Sequence, residues 1–463
     1  MKKTLYLLAC IHLSILAFGQ TLNHKETFRR VYDEVLTNGQ CYQTLDYLCN
    51  QIGGRLSGSP QAEQAVQYMY NKMKSYGFDT VYLQPVMVPH WIRGAKEEAF
   101  IAKGRQKFDV RICALGGSVA TPLNGIDAEV IEVRSIAELK QLGKERIKGK
   151  IVFFNRPMDP TQIHTGAAYG GANDQRGSGP AEAARYGAVG AVVRSLTLAN
   201  DDFPHTGMTK YNDSLPKIPA CAISTKGADA LSNLIKLKSE GQVRMFLKLN
   251  CKTLPDAPSY NVIGEIKGSG MPNEIIIAGG HLDSWDNGQG AHDDGAGCVQ
   301  SMEALRLIKT LGLKPNRTLR AVLFMNEENG VRGGLEYARV AALDANQKHI
   351  AAIESDAGGF TPRAFGVDDT NAVKNFKKWE PLYKPYSIDE IRQGWGGVDI
   401  GPLKKQGTIL SGYVPDSQRY FDYHHTEVDT FDKVNKRELE LGAAAISTLM
   451  WLLSEEGTLK IEN

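Results

Sequence analysis

The sequence predicts an α/β fold: a mixed, largely parallel sheet flanked by helices, interrupted by an inserted, mostly-β domain. Three observations carry that expectation. Beyond residue 255, strand-length runs (Ile275 to Ala278, Arg320 to Met325, Ile350 to Glu354, Thr408 to Leu410) alternate with helical patterns. From about Gly116 to Cys251 the texture changes to short strands bounded by Gly and Pro. Finally, 463 residues with 42% hydrophobic content exceed what one core usually fills, which favours two or three domains.

In chain order, Lys2 and Lys3 precede an apolar run from Leu5 to Phe18, with Ala17 and Gly19 at the spacing a signal peptidase prefers. Residues 1–21 therefore read as a cleaved secretory signal, and the run is shorter than the ~20 apolar residues a spanning helix needs. Lipid anchoring at Cys10 is the alternative, disfavoured because the apolar segment before Cys10 is short and continues past it. The other six cysteines (Cys41, Cys49, Cys113, Cys221, Cys251, Cys298) form an even set compatible with disulfides in an oxidising compartment, and none has zinc-finger spacing. Lys plus Arg number 54 against 52 Asp plus Glu, so there is no basic stripe and no nucleic-acid partner is expected.

Glu26 to Phe78 is helical in character, with Val66, Met69 and Met73 on one face and a break from Gly53 to Pro60. The following short strands include Ala128 to Val133, Lys150 to Phe154 and Ala188 to Val193. Thr253 to Ser259, with two prolines, reads as a stiff connector, after which Asn261 to Ile266 opens a new strand. Cys298, Met302, Leu305 and Ile308 mark the first helix of the α/β core. Arg437 to Leu453 is apolar and Ala-rich, but Glu438, Glu440 and Ser447 interrupt it, so a packed core helix is expected rather than a membrane span.

Polar residues gather where these strands end. His281 and Asp283 follow the first strand, Glu327 and Glu328 the second, and Asp356 the third, the edge at which open α/β sheets place their sites. Asp293 and Asp294 lie in the Gly-rich loop Gly290 to Gly297, and His425 in the segment Tyr423 to Thr430, both able to reach that edge. Imidazole with carboxylate suits zinc or a similar ion, and two His with several carboxylates outnumber one tetrahedral site, so two metals are expected, with Asp293 as the candidate bridge. Consecutive carboxylates seldom serve one ion, which makes Glu328 a ligand and Glu327 a base. Asp283, two residues after His281 on extended chain, can accept its second imidazole N–H.

Each fragment alone is weak: a single His-x-Asp is usually a surface turn, and Glu-Glu usually a solvated face. The set is specific because every fragment falls at a strand end or in an adjoining loop. A calcium loop at Asp283, Asp286, Asn287 and Asp293 lacks EF-hand spacing and a closing Glu, and no Gly-x-Ser-x-Gly elbow supports Ser-His-Asp chemistry.

Gly279 to Asp286, Gly288 to Gly295, Asn326 to Gly330, Glu354 to Gly358 and His424-His425-Thr426 together resemble the co-catalytic di-zinc aminopeptidase family, most closely its carboxypeptidase Q branch, over nearly the whole chain after residue 21. The resemblance implies a zinc-exopeptidase fold and two zinc ions per chain, one on His281 and Asp356, one on Glu328 and His425, with Asp293 bridging. It implies Glu327 as general base toward a bridging water, Asp283 orienting His281, and a homodimer. His424 is the neighbour that competes with His425 for the ligand role. Ala184 to Arg194 and Ile218 to Ile223 resemble a protease-associated domain, and Gly53 to Pro60 the family's amino-terminal lead-in. The peptidase domain is therefore expected to be split, 22–115 and 255–463, around an insert at 116–254.

The function this implies is a secreted exopeptidase hydrolysing unblocked dipeptides or short peptides. Its rivals are a broad aminopeptidase trimming longer peptides, a glutaminyl cyclase with one metal, and a non-catalytic binding protein; the intact Glu327 and ligand set speak against the last two. Trp395, Asp399 and Tyr413 could line a specificity pocket or be ordinary structural groups.

Overall fold

The computed structural model describes residues 24–237, 241–457 and 459, so the expected leader and Cys10 lie outside the described residues. Two eight-stranded sheets organise the chain. In the first the order is Thr80–Ile92, Lys252–Ile266, Arg317–Phe324, Met271–His281, Lys348–Glu354, Ile409–Pro415, Pro362–Val367, Glu390–Gln393. Its central strands, Arg317–Phe324 through Ile409–Pro415, pair in parallel, whereas Lys252–Ile266 and Pro362–Val367 join them antiparallel, giving the expected mixed sheet.

The central strands read as continuous apolar runs because both faces are covered. Ile276 and Ala278 pack with Val299, Met302 and Leu305 of helix Ala296–Thr310 and with Ala445 and Leu449 of helix Lys436–Glu455. Ile275 and Ile277 face the other way, toward Tyr337 and Ala338 of helix Arg332–Leu343. The C-terminal helix is a core element, capped by Asn435, which accepts from the N–H groups of Arg437 and Glu438. Among the described residues no helix is long and apolar enough to cross a membrane. In the lead-in, Ser59 caps helix Pro60–Ser75, which buries Val66, Met69 and Met73.

The second sheet runs Gln106–Asp109, Glu98–Lys103, Val243–Lys248, Ile126–Val133, Ile151–Phe154, Gly190–Arg194, Ala220–Ile223, Ile112–Ala114. Two features of this sheet bear on the insert expected at 116–254. The insert's sheet begins at Glu98, not after 116, because three strands between 98 and 114 pair into it. It is also α/β rather than mostly β: four of its strands run parallel, and helices such as Ile136–Ile147, Gly179–Arg185 and Thr225–Lys236 accompany them. Parallel strands require such crossovers; Gly179–Arg185 is too short to leave a period in sequence, whereas Thr225–Lys236, with Ala228 and Leu231 buried on one face, carries a helical one.

Thr253 to Ser259 is no separate connector but part of the strand Lys252–Ile266, which pairs with Thr80–Ile92 in a long antiparallel ribbon. Its prolines are tolerated because the ribbon lies at the sheet edge. All six described cysteines are buried and unpaired, so the disulfides their even number allowed do not form.

Candidate metal centre

His281 ends the strand Met271–His281. The N–H of His281 donates to Asp294 Oδ2 at 3.0 Å, while Asp294 Oδ1 accepts from Gly297 at 2.9 Å, so this buried carboxylate ties the strand end to the start of helix Ala296–Thr310. The His281 Nδ1 lies 2.9 Å from the main-chain carbonyl of Asp283 and 3.9 Å from its carboxylate Oδ1. The contact expected of the Asp283 side chain is therefore made by its main chain. The Asp283 carboxylate instead accepts from the N–H groups of Asn326 and Glu327, at 2.7 and 3.0 Å, and holds the turn that presents Glu327 and Glu328.

Asp293 stands between the two histidines. Its Oδ1 is 3.2 Å from His281 Nε2 and its Oδ2 is 3.3 Å from His425 Nε2. Asp356 Oδ1 lies 3.6 Å from His281 Nε2, and Glu328 Oε2 lies 3.1 Å from His425 Nε2. Donor atoms of His281, Asp293 and Glu328 lie within 4.8 Å of one another, as do those of Asp293, His424 and His425. His424 is the more distant histidine, its Nε2 3.7 Å from Asp293 Oδ2. His281, Asp293, Glu328, Asp356 and His425 thus lie together at one place, and Glu327 lines the cavity above them.

The electrostatics are those of a site built for cations. Burial raises the carboxyl groups of Asp293 and Glu328, and neighbouring carboxylates add to it. Burial also raises Glu327 to about 8, with His281 opposing and Asp356, Asp293 and Asp283 reinforcing. Burial alone would lower His281, but its contacts with Asp293 and Asp356 raise it well above the usual range. His425 is pushed down, by burial first and then by His424 and Arg176, which leaves a neutral imidazole able to donate a lone pair. Asp293 Oδ2 is buried without a hydrogen-bond partner. That orphaned oxygen, between imidazoles and beside a second carboxylate, fits a divalent ion accepting N and O ligands.

Several supporting residues carried no assignment in the sequence. Asp429 accepts from the N–H groups of His292 and Asp293, at 2.8 and 3.1 Å, and so fixes the main chain of the central carboxylate. An acid so near His425 was its only signal. Arg55, fully buried, spends its guanidinium on the carbonyls of Leu282, Gln289 and Gly290, pinning the loop between His281 and Asp293 to the lead-in. Tyr420 donates to Asp356 at 3.4 Å. Over the site lies a cavity of about 760 Å³ lined by Asp293, Glu327, Glu328, Asp356 and His425 together with Tyr169, Arg176 and Lys210 from the insert. Trp395 lines it too, whereas Asp399 and Tyr413 are buried.

Clustered imidazole and carboxylate donors at the strand ends of an α/β sheet, under an open cavity and beside a carboxyl group the donors leave free, define a metallohydrolase. The model of peptidase family M28 matches residues 261–450. Carboxypeptidase Q of Xenopus laevis is 37% identical over 444 residues, covering 94% of this chain and 90% of the relative. Carboxypeptidase Q of Homo sapiens is 33% identical, covering 96% of each. The crystal structure of a peptidase M28 precursor from Shewanella amazonensis SB2B superposes with a TM-score of 0.90 at 32% identity, over 95% of this chain and 98% of that one. The chain belongs to peptidase family M28 and is a zinc metallopeptidase.

Proposed function

We propose that this chain is a secreted di-zinc exopeptidase that hydrolyses unblocked dipeptides or short peptides, with Glu327 as its general base. The observation that carries the reading is the two-sided setting of Asp293, one carboxylate oxygen toward His281 and the other toward His425. His281 and Asp356 would hold one zinc, Glu328 and His425 a second, and Asp293 would serve both. When bound, the ions supply Lewis acidity toward the scissile carbonyl and lower the pKa of water.

The chain's own part is proton handling and alignment. Glu327 stands beside the donors with its main chain held by Asp283, and its carboxyl group has a raised affinity for protons. It takes the proton of the attacking water and returns it to the leaving amine, work suited to a carboxyl group whose pKa sits near neutrality. Asp294 and Asp429 keep the donors aligned through the main chain while the proton moves.

The carboxypeptidase name of the relatives favours an exopeptidase, and the cavity's mixed charge suits a substrate with free, charged ends. Lys2, Lys3 and the apolar run after them support export, which amino-terminal sequencing of the mature protein, expected to begin near residue 22, would check. The central test is Glu327→Gln assayed against a free dipeptide, its amino-blocked form and a longer peptide, with metals counted per chain. The variant should retain its metals and lose turnover by at least about a hundredfold. Full activity would overturn the assignment of the base, and trimming of the long peptide by the unmodified protein would replace the dipeptidase reading with an aminopeptidase.

A further inference from the structure

The cavity over the metal centre has walls of opposite charge. The peptidase core supplies Asp293, Glu327, Glu328 and Asp356, and the insert supplies Arg176 and Lys210. The acids have an evident purpose, in binding cations and, for Glu327, in moving a proton, but the bases do not. Arg176 donates to the Thr206 carbonyl at 3.3 Å and to the Tyr169 hydroxyl, both neutral, and its Nε–H is buried without a partner. Among the described residues it meets no carboxylate. Arg55 shows the contrast, since its guanidinium is spent on main-chain carbonyls and has no room for a ligand.

Position matters as much as charge. Arg176 Nη1 lies 3.4 Å from Nδ1 of His425, the ring whose Nε2 faces Glu328 and Asp293. The His425 Nδ1–H is directed at the Thr206 carbonyl, 3.1 Å away, so the guanidinium and imidazole lie side by side as two donors and do not satisfy each other. A cation with spare N–H groups thus stands one imidazole's width from the place where a peptide bond is opened.

A dipeptide carries a carboxylate one residue beyond its scissile carbonyl, whereas a longer chain or an amide carries a neutral group there. A guanidinium offers a planar pair of donors matched to a carboxylate. We propose that Arg176, supported by Lys210, binds the free α-carboxylate of the residue on the leaving side of the scissile bond, so that the insert selects unblocked dipeptides. The proposal rests on the dipeptidase reading above and gives it a specificity-determining residue.

The test separates binding from turnover. In a Glu327→Gln background, which is expected not to consume its ligand, calorimetry compares a dipeptide with its carboxy-terminal amide. The acid should bind about ten- to a hundredfold more tightly than the amide, as expected for a charge-assisted hydrogen bond. Adding Arg176→Gln should erase that ratio, leave binding of the amide and the metal content unchanged, and in the Glu327 enzyme raise KM for the acid more than it lowers kcat. Arg176→Lys, which keeps the charge and loses the fork, should give an intermediate ratio and guards against simple misfolding. An acid-to-amide ratio that survives Arg176→Gln, or loss of binding to both ligands alike, overturns the proposal. Absence of dipeptide turnover in the unmodified protein would instead overturn the functional reading, while a binding ratio that still moved with Arg176 would keep the carboxylate site.

Discussion

Asp283 accepts two main-chain N–H groups, from Asn326 and Glu327, through the single oxygen Oδ1, while Oδ2 is buried without a partner. An asparagine oxygen can accept both bonds in the same place, so Asp283→Asn should keep its metal content and hold turnover within about tenfold, with a stability loss of about 1–3 kcal/mol for the amide N–H₂ left unpaired. Asp283→Ala orphans both N–H groups, frees the turn that carries Glu327 and should lose most activity. Metal counts and kcat for the pair check this; an asparagine variant as inactive as the alanine one would show that the charge itself steadies His281. The residue types of this site were legible in the sequence because each sits at a strand end or in a Gly-rich loop. Their exact partners were not, because the choice between a carboxylate and the carbonyl of the same residue depends on a backbone turn that residue spacing does not specify.

Strands showed the same divide between what burial writes into sequence and what it does not. Met271–His281 and Arg317–Phe324 were visible as apolar runs because helices cover both faces. Thr80–Ile92 and Glu390–Gln393 gave a weaker signal, since they close the two edges of the sheet and carry prolines or polar residues that an edge tolerates. The strand Lys348–Glu354 carries a further consequence in His349, whose Nε2 is 2.9 Å from the Tyr337 hydroxyl and 3.4 Å from Arg320. Burial, helped by Arg320, pushes this histidine down to about 4. Above its unfolded pKa of about 6.5 both states are neutral and its stabilising share is complete; as pH falls below that, the unfolded chain gains a proton the folded one refuses, and stability drains away down to the folded value. The cost is on the order of 3 kcal/mol across that window. His292, pushed down to about 4 by burial, acts in the same direction, so His349→Gln should flatten the acid side of the profile without abolishing it. Urea midpoints at neutral and mildly acid pH test this, and parallel profiles for the two proteins would contradict it.

At the scale of the whole molecule, the segment of the second sheet is joined to the first at a proposed metal ligand, His425. The Thr206 N–H donates to the His425 carbonyl at 3.0 Å, and the Thr206 carbonyl lies 3.1 Å from His425 Nδ1, so one residue of the insert holds both the main chain and the ring of a histidine 219 positions away. A carbonyl on Nδ1 fixes the tautomer that leaves Nε2 free to bind metal. Nothing in the sequence announces such a pairing, because it uses main-chain atoms that every residue possesses. Gly207 makes the close approach possible: its φ is +132°, and a Cβ there would lie 2.5 Å from the Arg176 guanidinium and 2.7 Å from His425 Nδ1. Gly207→Ala should therefore leave the two sheets folded but displace the His425 ring, weakening the metal proposed on Glu328 and His425 by about ten- to a hundredfold, the usual effect of losing a partner that orients a ligand, while the one proposed on His281 and Asp356 stays. Stepwise metal titration reads the two affinities separately. Equal weakening of both metals would mean that Asp293 moves with His425, and unchanged affinities would mean that the insert merely roofs the site without holding it.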